Sequence, residues 1–514
     1  MAYFLGIDAG TSGIKAVVMG ENGDTVSNGY AECDILSPRP GWIEQRAEDW
    51  WQACKTAVAQ AVSISGCGKE IEGIGFSGQM QGCLPVDRNI QPLHNCIIWL
   101  DQRSDAEVAE IKVRAEGRLD TLGITANACL NSFWAPKLLW LRKHKPEAFE
   151  RTHKVLFAKD YLRYCMTGEI AADVSDASLS YLMDVPGRRW SDEMFDLLDI
   201  PNGFVPQRLA ESCEVVGTLR KELAEEWGMR PGIAVTAGGG DQPVGGVGAG
   251  IIQEGVIGAT IGTSGVVFGS SKKPFADPKD RAMLSMAHAV PDTWCFLGLV
   301  LSAGASFKWL RDTFFTGKKM ELQAQGEDVY DYMTALASQA SVGSEGLMFM
   351  PYLNGEKTPY SDSYARGVWF GFSHRHSLNE ICRSVMEGVT FAMRDSVEVC
   401  RELGICVNEV RANGGGAKSA LWRQMQADVY NASIVTMNVQ EGPASGAAIL
   451  AGVGTGCFQS VAEGCDAMLR VKSVTDPIAK NVRIYEEYYQ MYRALYPALK
   501  ERFAAQAALV GKSF

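Results

Sequence analysis

The sequence has no C-x-x-C pair, no H-E-x-x-H and only six histidines in 514 residues, so no zinc centre is written into it. Its two glycine runs, at 238–240 and 414–416, have the spacing of neither a P-loop nor a Rossmann fingerprint. No apolar run reaches the 18 residues that a membrane-crossing helix needs, and the best candidate, 244–256, holds Glu254. Positive charge is in deficit: 49 Lys and Arg stand against 60 Asp and Glu, a net charge of −11. Such a chain has no overall pull toward phosphate backbones or anionic lipid, which disfavours nucleic acid and membrane as partners. Its first residues lack a basic segment ahead of the apolar run and reach an acid at Asp8, unlike a signal peptide. The 14 cysteines are scattered singly, the closest two being Cys400 and Cys406, which reads as core thiols of a cytoplasmic protein.

What the chain has in excess is glycine, 54 of 514 residues, and glycine marks where the backbone turns tightly or approaches something closely. Two of the glycine-rich turns repeat. An apolar run at 3–7 leads into D-A-G-T-S-G at 8–13 and a second apolar run at 14–19. A run at 258–261 leads into G-T-S-G at 262–265 and then Val266, Val267 and Phe268. Both read as strand, turn, strand, half a chain apart, which points to duplicated domains. We place these at 1–248 and 249–514, with the junction in the Gly-rich stretch 245–250. The remainder alternates as an α/β fold does. Helices are expected over 47–63, from about 138, from a Ser377-Leu-Asn-Glu380 capping box to Gly404, from about 419, over 444–453, and over 478–505 with a bend at Pro497. Strands are expected over 71–77, 97–100, 155–157, 233–236, 410–412 and 433–439.

Four segments could carry chemistry. Each G-T-S-G turn offers converging N–H groups and hydroxyls that suit phosphate oxygens, and Asp8 adds a carboxylate where Mg²⁺ would sit. An ordinary hairpin is the bland alternative, and the duplication weighs against it. In A-G-G-G-D-Q-P at 237–243, Asp241 stands in a glycine loop, suited to take a proton from an attacking hydroxyl. A mere turn-supporting Asp is equally compatible with the residues. N-G-G-G-A-K-S at 413–419, between a strand and a helix start, allows close backbone approach of a nucleotide. Lastly, G-F-S-G-Q-M-Q-G at 75–82 and W-L-D-Q-R-S at 99–104 place amides, a carboxylate and an arginine near strand ends, where the hydroxyls of a sugar would find partners.

These segments resemble those of the FGGY carbohydrate kinases over nearly the whole chain. The matching stretches include G-I-D-A-G-T-S-G-I-K at 6–15, A-P-K-L-L-W at 135–140, A-G-G-G-D at 237–241, P-Y-L-N-G-E-K-T-P at 351–359, A-R-G-V-W-F-G at 365–371 and N-G-G-G-A-K-S at 413–419. The resemblance implies an α/β fold of two actin-like, ribonuclease-H-like domains with ATP in the cleft between them. It implies Asp241 as general base. Thr11, Ser12, Gly13, Lys15, Gly262, Thr263 and Ser264 would hold phosphates, with Gly414, Gly415, Gly416 and Lys418 at the nucleotide and Asp8 orienting Mg²⁺. Gln79, Met80, Gln81, Asp101, Arg103 and Gln242 are the sugar candidates. The expected reaction is ATP-dependent phosphorylation of a small sugar, most similar to the xylulose-phosphorylating branch, by an enzyme expected to be a homodimer. The chain departs from that branch at Gln81, where His is usual, at Gln242, where Asn is usual, and at Trp134, where a small hydroxyl residue is usual. Another ketose or a sugar alcohol is the alternative acceptor. An actin-like ATPase without a sugar, or a silent sugar sensor, is the alternative of another class, and Asp241 argues against the sensor.

Overall fold

The computed structural model describes residues 1–279, 281–438 and 442–511. In the first half, β1 (Tyr3–Ala9), β2 (Gly13–Gly20) and β3 (Thr25–Glu32) form a meander covered by α1 (Ala47–Ser65). Next come β4 (Ile71–Gly78), α2 (Trp134–His144), α3 (Ala158–Thr167), the one-turn α4 (Val174–Ala177), β5 (Val215–Thr218), β6 (Ala234–Thr236), the two-residue β7 (Gly239–Gly240) and α5 (Asp241–Gly248). The sheet order is β5-β6-β4-β1-β2-β3, with β7 pairing to β4 beyond β6. β1 runs antiparallel to β2 and parallel to β4.

The second half opens on β8 (Gly255–Ile261) and β9 (Gly265–Ser271), followed by β10 (Leu284–Ala287) and β11 (Trp294–Val300). Beyond them lie α6 (Gly304–Phe314), α7 (Leu378–Glu402), β12 (Val407–Gly414), α8 (Ala420–Tyr430), β13 (Ser433–Met437), α9 (Gly442–Gly454), β14 (Val471–Thr475) and α10 (Ala479–Gly511). Its sheet order is β10-β11-β9-β8-β12-β13-β14. Read from β14, that order repeats the first sheet strand for strand, with β10 added at the far edge. β8 is antiparallel to β9 and parallel to β12, as β1 is to β2 and β4. The duplication visible in the turns is therefore a duplication of sheet order, except that the edge strand β5 precedes β6 in the chain while its counterpart β14 follows β13.

Local chemistry sets the helix ends. Ser377 and Glu380 close the capping box of α7, and Ser419 caps α8 by accepting from the Trp422 N–H. α10 runs through Pro497 without ending. One expectation changes. The strand predicted over 97–100 is only Cys96–Ile97, and Trp99 and Leu100 lie in the turn after it. The glycines at 245–248, in the stretch where the junction is placed, belong to the packed helix α5. Val439, the end of one predicted strand, lies outside the described residues.

α5 and α9 follow equivalent strands and cross at the centre of the molecule. Their small residues let backbones touch. A Cβ on Gly446 would collide with the Val244 carbonyl, and one on Gly248 with the Gly442 carbonyl. α9, from the second half, also lies on the first sheet. A Cβ on Gly6 or Gly75 would run into the carbonyls of Ala444 and Ala447. Around this crossing Phe4, Val17, Val244, Val247, Ile449 and Leu450 form one buried cluster. Among the described residues no helix is long and apolar enough to cross a membrane.

Candidate active site

Both repeated turns stand at the end of a central strand, and each is braced from behind. In the first, Thr11 Oγ1 donates to Gln79 Oε1 at 3.4 Å and accepts from Trp99 Nε1 at 3.0 Å. Gln45 Nε2 donates to the Thr11 carbonyl at 2.8 Å, and Gln45 Oε1 accepts from Gln79 Nε2 at 2.7 Å. Gln79, a sugar candidate, is therefore buried beneath the turn with its amide engaged there. Gln45, and Trp99 at the head of the W-L-D-Q-R-S segment, are part of the same brace. Ser12 is exposed, and Gly13 is pressed against Tyr30 and the Ala31 carbonyl. Lys15 on β2 is the cross-strand partner of Asp8 on β1.

In the second turn, the first N–H groups of α6 carry the load. Gly304 donates to the Gly262 carbonyl at 2.8 Å and Ala305 to the Thr263 carbonyl at 3.0 Å. The side chains of Thr263 and Ser264 remain exposed. Beside this turn lies a cleft of about 770 Å³, lined by Asp241, Gln242, Gly246, Thr260, Gly414, Gly415 and Lys418, with Gly442 and Pro443 of α9. That volume is within the usual range of small-molecule sites. Gly414 has a φ of 75° and a Cβ there would press on the Ile261 carbonyl, so only glycine fits comfortably. Gly416 packs on the Ile261 side chain instead of lining the cleft.

Asp241 is the first residue of α5. The dense surroundings withhold water from its carboxylate, and Asp8 adds like charge, so its pKa is raised from 3.8 to about 7, against opposing hydrogen bonds from Gln242. Asp8 is therefore near enough to Asp241 for its charge to be felt there. Two mutually repelling carboxylates beside a cleft of this size suit a divalent cation. Among the described residues no cluster of three or more His, Cys, Asp or Glu forms a cage that would hold a metal by itself, so a Mg²⁺ here would need phosphate oxygens and water to complete its shell. A group titrating near 7 gives a testable pH dependence. In the free enzyme kcat/KM for the nucleotide should rise about tenfold per unit of pH below about 7 and level off above it. Asp8→Asn, by removing the like charge, should move that limb to lower pH. A limb that stays in place would detach it from this pair of carboxylates.

The loop after β4 meets the glycine loop that ends at Asp241 directly. A Cβ on Gly240 would touch Met80 Cγ at 2.7 Å. Gln81 follows with a φ of 67°, an uncommon conformation for a residue with a side chain. Its peptide is clamped: the N–H donates to Asp176 Oδ1 at 3.3 Å and the carbonyl accepts from Lys137 Nζ at 2.8 Å. Burial pulls the Lys137 ammonium down to about 8. Trp134 donates to the Gly82 carbonyl at 2.6 Å, so the unusual tryptophan supports this same loop. Asp101 and Arg103 stand behind it. Arg103 pairs with Asp101 at 2.7 Å and Glu44 at 2.8 Å, and its guanidinium lies 4.1 Å from the Trp42 ring centre and 4.9 Å from that of Trp140. Asp101 Oδ2 also accepts from the Ile43 N–H at 2.5 Å. Met80 thus packs against Gly240, the residue before Asp241, with Gln81 and Gln242 next in their two loops, while Gln79, Asp101 and Arg103 have their polar groups spent on protein.

Residues 3–248 match the family model for the N-terminal domain of the FGGY carbohydrate kinases, and residues 258–455 match that for the C-terminal domain. A xylulose kinase of Staphylococcus epidermidis is 36% identical over 498 residues, 97% of either chain. Among solved structures, a ligand-bound xylulose kinase from Lactobacillus acidophilus superposes with a TM-score of 0.90 at 25% identity, covering 98% of this chain and 100% of that one. A gluconate kinase from the same organism gives 0.89 at 25% identity, covering 98% and 99%. Two sugar acceptors on equally similar folds show that the fold alone does not choose the sugar. The two domain matches together span most of the sequence, and the chain belongs to the FGGY family of carbohydrate kinases.

Proposed function

We propose that the protein transfers the γ-phosphoryl group of ATP to a primary hydroxyl of a short open-chain ketose, D-xylulose first, giving the 5-phosphate. The observation that carries this reading is the position of Asp241, between the nucleotide cleft and the Met80–Gln81 loop, with a pKa near 7. Asp241 accepts the hydroxyl proton as the phosphoryl group arrives. Sugar hydroxyls are weak acids, so the acceptor has to be in place when the bond forms. Thr263, Ser264, Ser12 and the neighbouring N–H groups receive the phosphates, with Lys15 near the first turn. Gly414, Gly415 and Lys418 border the nucleotide, and Gly416 supports them. Asp8 would hold Mg²⁺, through water, and that ion would supply charge neutralisation on the phosphates. Met80, Gln81 and Gln242 face the sugar, and Gln79, Asp101 and Arg103 hold the loops that do so. The division at 248/249 belongs to the same reading, as does a cytoplasmic location, which fits fourteen free thiols. The choice of D-xylulose rests on the full-length similarity to xylulose kinases.

The test is a panel of ketoses, aldoses, aldonates and polyols in a coupled assay of ADP release. Turnover with ketopentoses above all others supports the reading, and ATP hydrolysis indifferent to every sugar overturns it. Gln81 is the place to look for discrimination. Gln81→His should change the kcat/KM ratio between two sugars about tenfold, since one misplaced buried hydrogen bond costs about 1–3 kcal/mol. An unchanged ratio across the panel would mean that Gln81 does not read the sugar.

A further inference from the structure

One charged cluster lies wholly inside the first half and has no part in the chemistry described so far. Lys159, Asp160 and Arg163 of α3, with Asp173 and Asp176 around α4, have side chains with no exposure to solvent. The Lys159 ammonium has three carboxylate partners: Asp160 Oδ1 at 3.0 Å, Asp173 Oδ2 at 2.5 Å and Asp176 Oδ2 at 3.1 Å. Burial alone would lower its pKa, and the three carboxylates more than reverse this, so it stays charged.

Burying five ionisable groups is costly, burial raises the Asp176 carboxyl to about 8 even beside Lys159, and apolar residues of similar volume are often as stable. The cluster's outward bonds show what it holds instead. Asp173 Oδ1 accepts from Ser175 Oγ at 2.5 Å, and Ser175 Oγ accepts from the Gly240 N–H at 3.0 Å. Gly240 is the residue before Asp241. Asp176 Oδ1 accepts from the Gln81 N–H at 3.3 Å. The third carboxylate, Asp160, binds Arg163, whose guanidinium donates to the Ala237 carbonyl at 2.6 Å at the other end of the glycine loop. One ammonium is thus two bonds from the backbone of the sugar loop and three from that of the base loop.

We propose that Lys159 is a positioning residue for phosphoryl transfer, registering the loop that carries Asp241 against the loop that carries Gln81. The idea rests on Asp241 as proton acceptor and Gln81 as sugar contact. Its physical basis is that a displacement of about 1 Å between reacting groups can cost roughly 10²-fold in rate. The two arms of the cluster can be cut separately. Ser175→Ala removes the link to Gly240 along with its bond to Asp173, and Asp176→Ala removes the link to Gln81 along with one of the three partners of Lys159, leaving two carboxylates for two cations.

The experiment measures kcat and sugar KM, sugar-free ATP hydrolysis and melting temperature for the full chain and its variants. Ser175→Ala should lower kcat about tenfold, with sugar-free hydrolysis falling in parallel and sugar KM moving less than about twofold. Asp176→Ala should raise sugar KM about tenfold, raising the ratio of sugar-free hydrolysis to transfer, and Asp176→Asn, which keeps the acceptor oxygen, should restore most of it. Lys159→Met should combine both losses, about 10²-fold in kcat/KM. Equal proportional changes of kcat and KM in both single-arm variants, tracking the loss of melting temperature, would overturn the proposal and leave a merely structural cluster. So would near wild-type kinetics for Lys159→Met. If Lys159→Met does not fold, the single-arm variants decide. If the unaltered protein phosphorylates no sugar, the functional reading fails instead, and the Ser175→Ala effect on ATP hydrolysis still tests the link to Asp241.

Discussion

Asp241→Asn should lower kcat for sugar phosphorylation by about two orders of magnitude or more, because general-base assistance typically contributes 10²–10⁴-fold. Asparagine keeps the shape and most of the hydrogen bonding at the first turn of α5 and removes only the proton acceptor. Nucleotide affinity should stay within a few-fold, since most of the cleft is lined by residues of the second half, including Thr260, Gly414, Gly415 and Lys418. Sugar-free ATP hydrolysis should be lost as well if water uses the same base. Steady-state kinetics with a parallel nucleotide titration makes the measurement. Retention of more than about a tenth of kcat would sink the assignment, and loss of nucleotide binding would move Asp241 into the nucleotide site or into folding.

The same substitution should stabilise the protein at neutral pH. Asp241 has a folded-state pKa of about 7 against an ordinary 3.8, so between those values the folded state holds the proton more tightly than the unfolded state does. Stability therefore falls as pH rises through that window, and the penalty is complete above about pH 7. The neutral amide of the Asp241→Asn variant carries no such penalty. Its melting temperature should exceed that of the unaltered protein by roughly 1–3 °C at pH 8, and the gain should vanish near pH 4. A variant less stable at pH 8 would mean that the carboxylate is not strained by its surroundings.

The second large effect is expected at the helix crossing. Gly446→Val puts a branched side chain where even a Cβ would strike the Val244 carbonyl and stand 2.9 Å from the Gly248 nitrogen. Neither obstacle is a flexible side chain, so α5 and α9 must separate. Overpacking a core commonly costs about 1–3 kcal/mol, and a backbone-to-backbone contact leaves the least room for relief. α5 begins with Asp241, and Gly442 and Pro443 of α9 line the same cleft as Asp241. Separation should therefore lower kcat/KM for both substrates at least about tenfold, together with a clear fall in melting temperature. Gly317→Ala is the control: it lies in a helix, a Cβ there meets nothing within 4 Å, and it should be neutral or slightly stabilising. Wild-type kinetics in Gly446→Val would show that the crossing does not set the site.

The sequence by itself determined the parts whose chemistry is local. Two G-T-S-G turns betrayed the duplication because each lies between apolar runs that can only be strands. The glycine runs at 238–240 and 414–416 marked backbone that a ligand or another strand approaches. The capping box at Ser377 located a helix start to the residue, since its hydrogen bonds span only three positions. Asp241 was legible only as a candidate, since a turn-supporting carboxylate fits beside three glycines equally well, and the fold is what sets it on the cleft. Only the tertiary structure decided which of the candidate polar residues are bonded within the protein. Gln79, Asp101 and Arg103 sit in motifs as suggestive as Met80–Gln81, yet the fold spends their amide, carboxylate and guanidinium on Gln45, Ile43 and Glu44. The buried ammonium of Lys159 left no more trace than a charged residue in an otherwise buried run. Its reach depends on bonds between residues 95 positions apart, at Gln81 and Asp176, and 65 apart, at Gly240 and Ser175. Periodicity and turn chemistry act over a few residues. Which carboxylate meets which backbone N–H is set by how the sheet brings distant strand ends together, and that information exists only once the chain has folded.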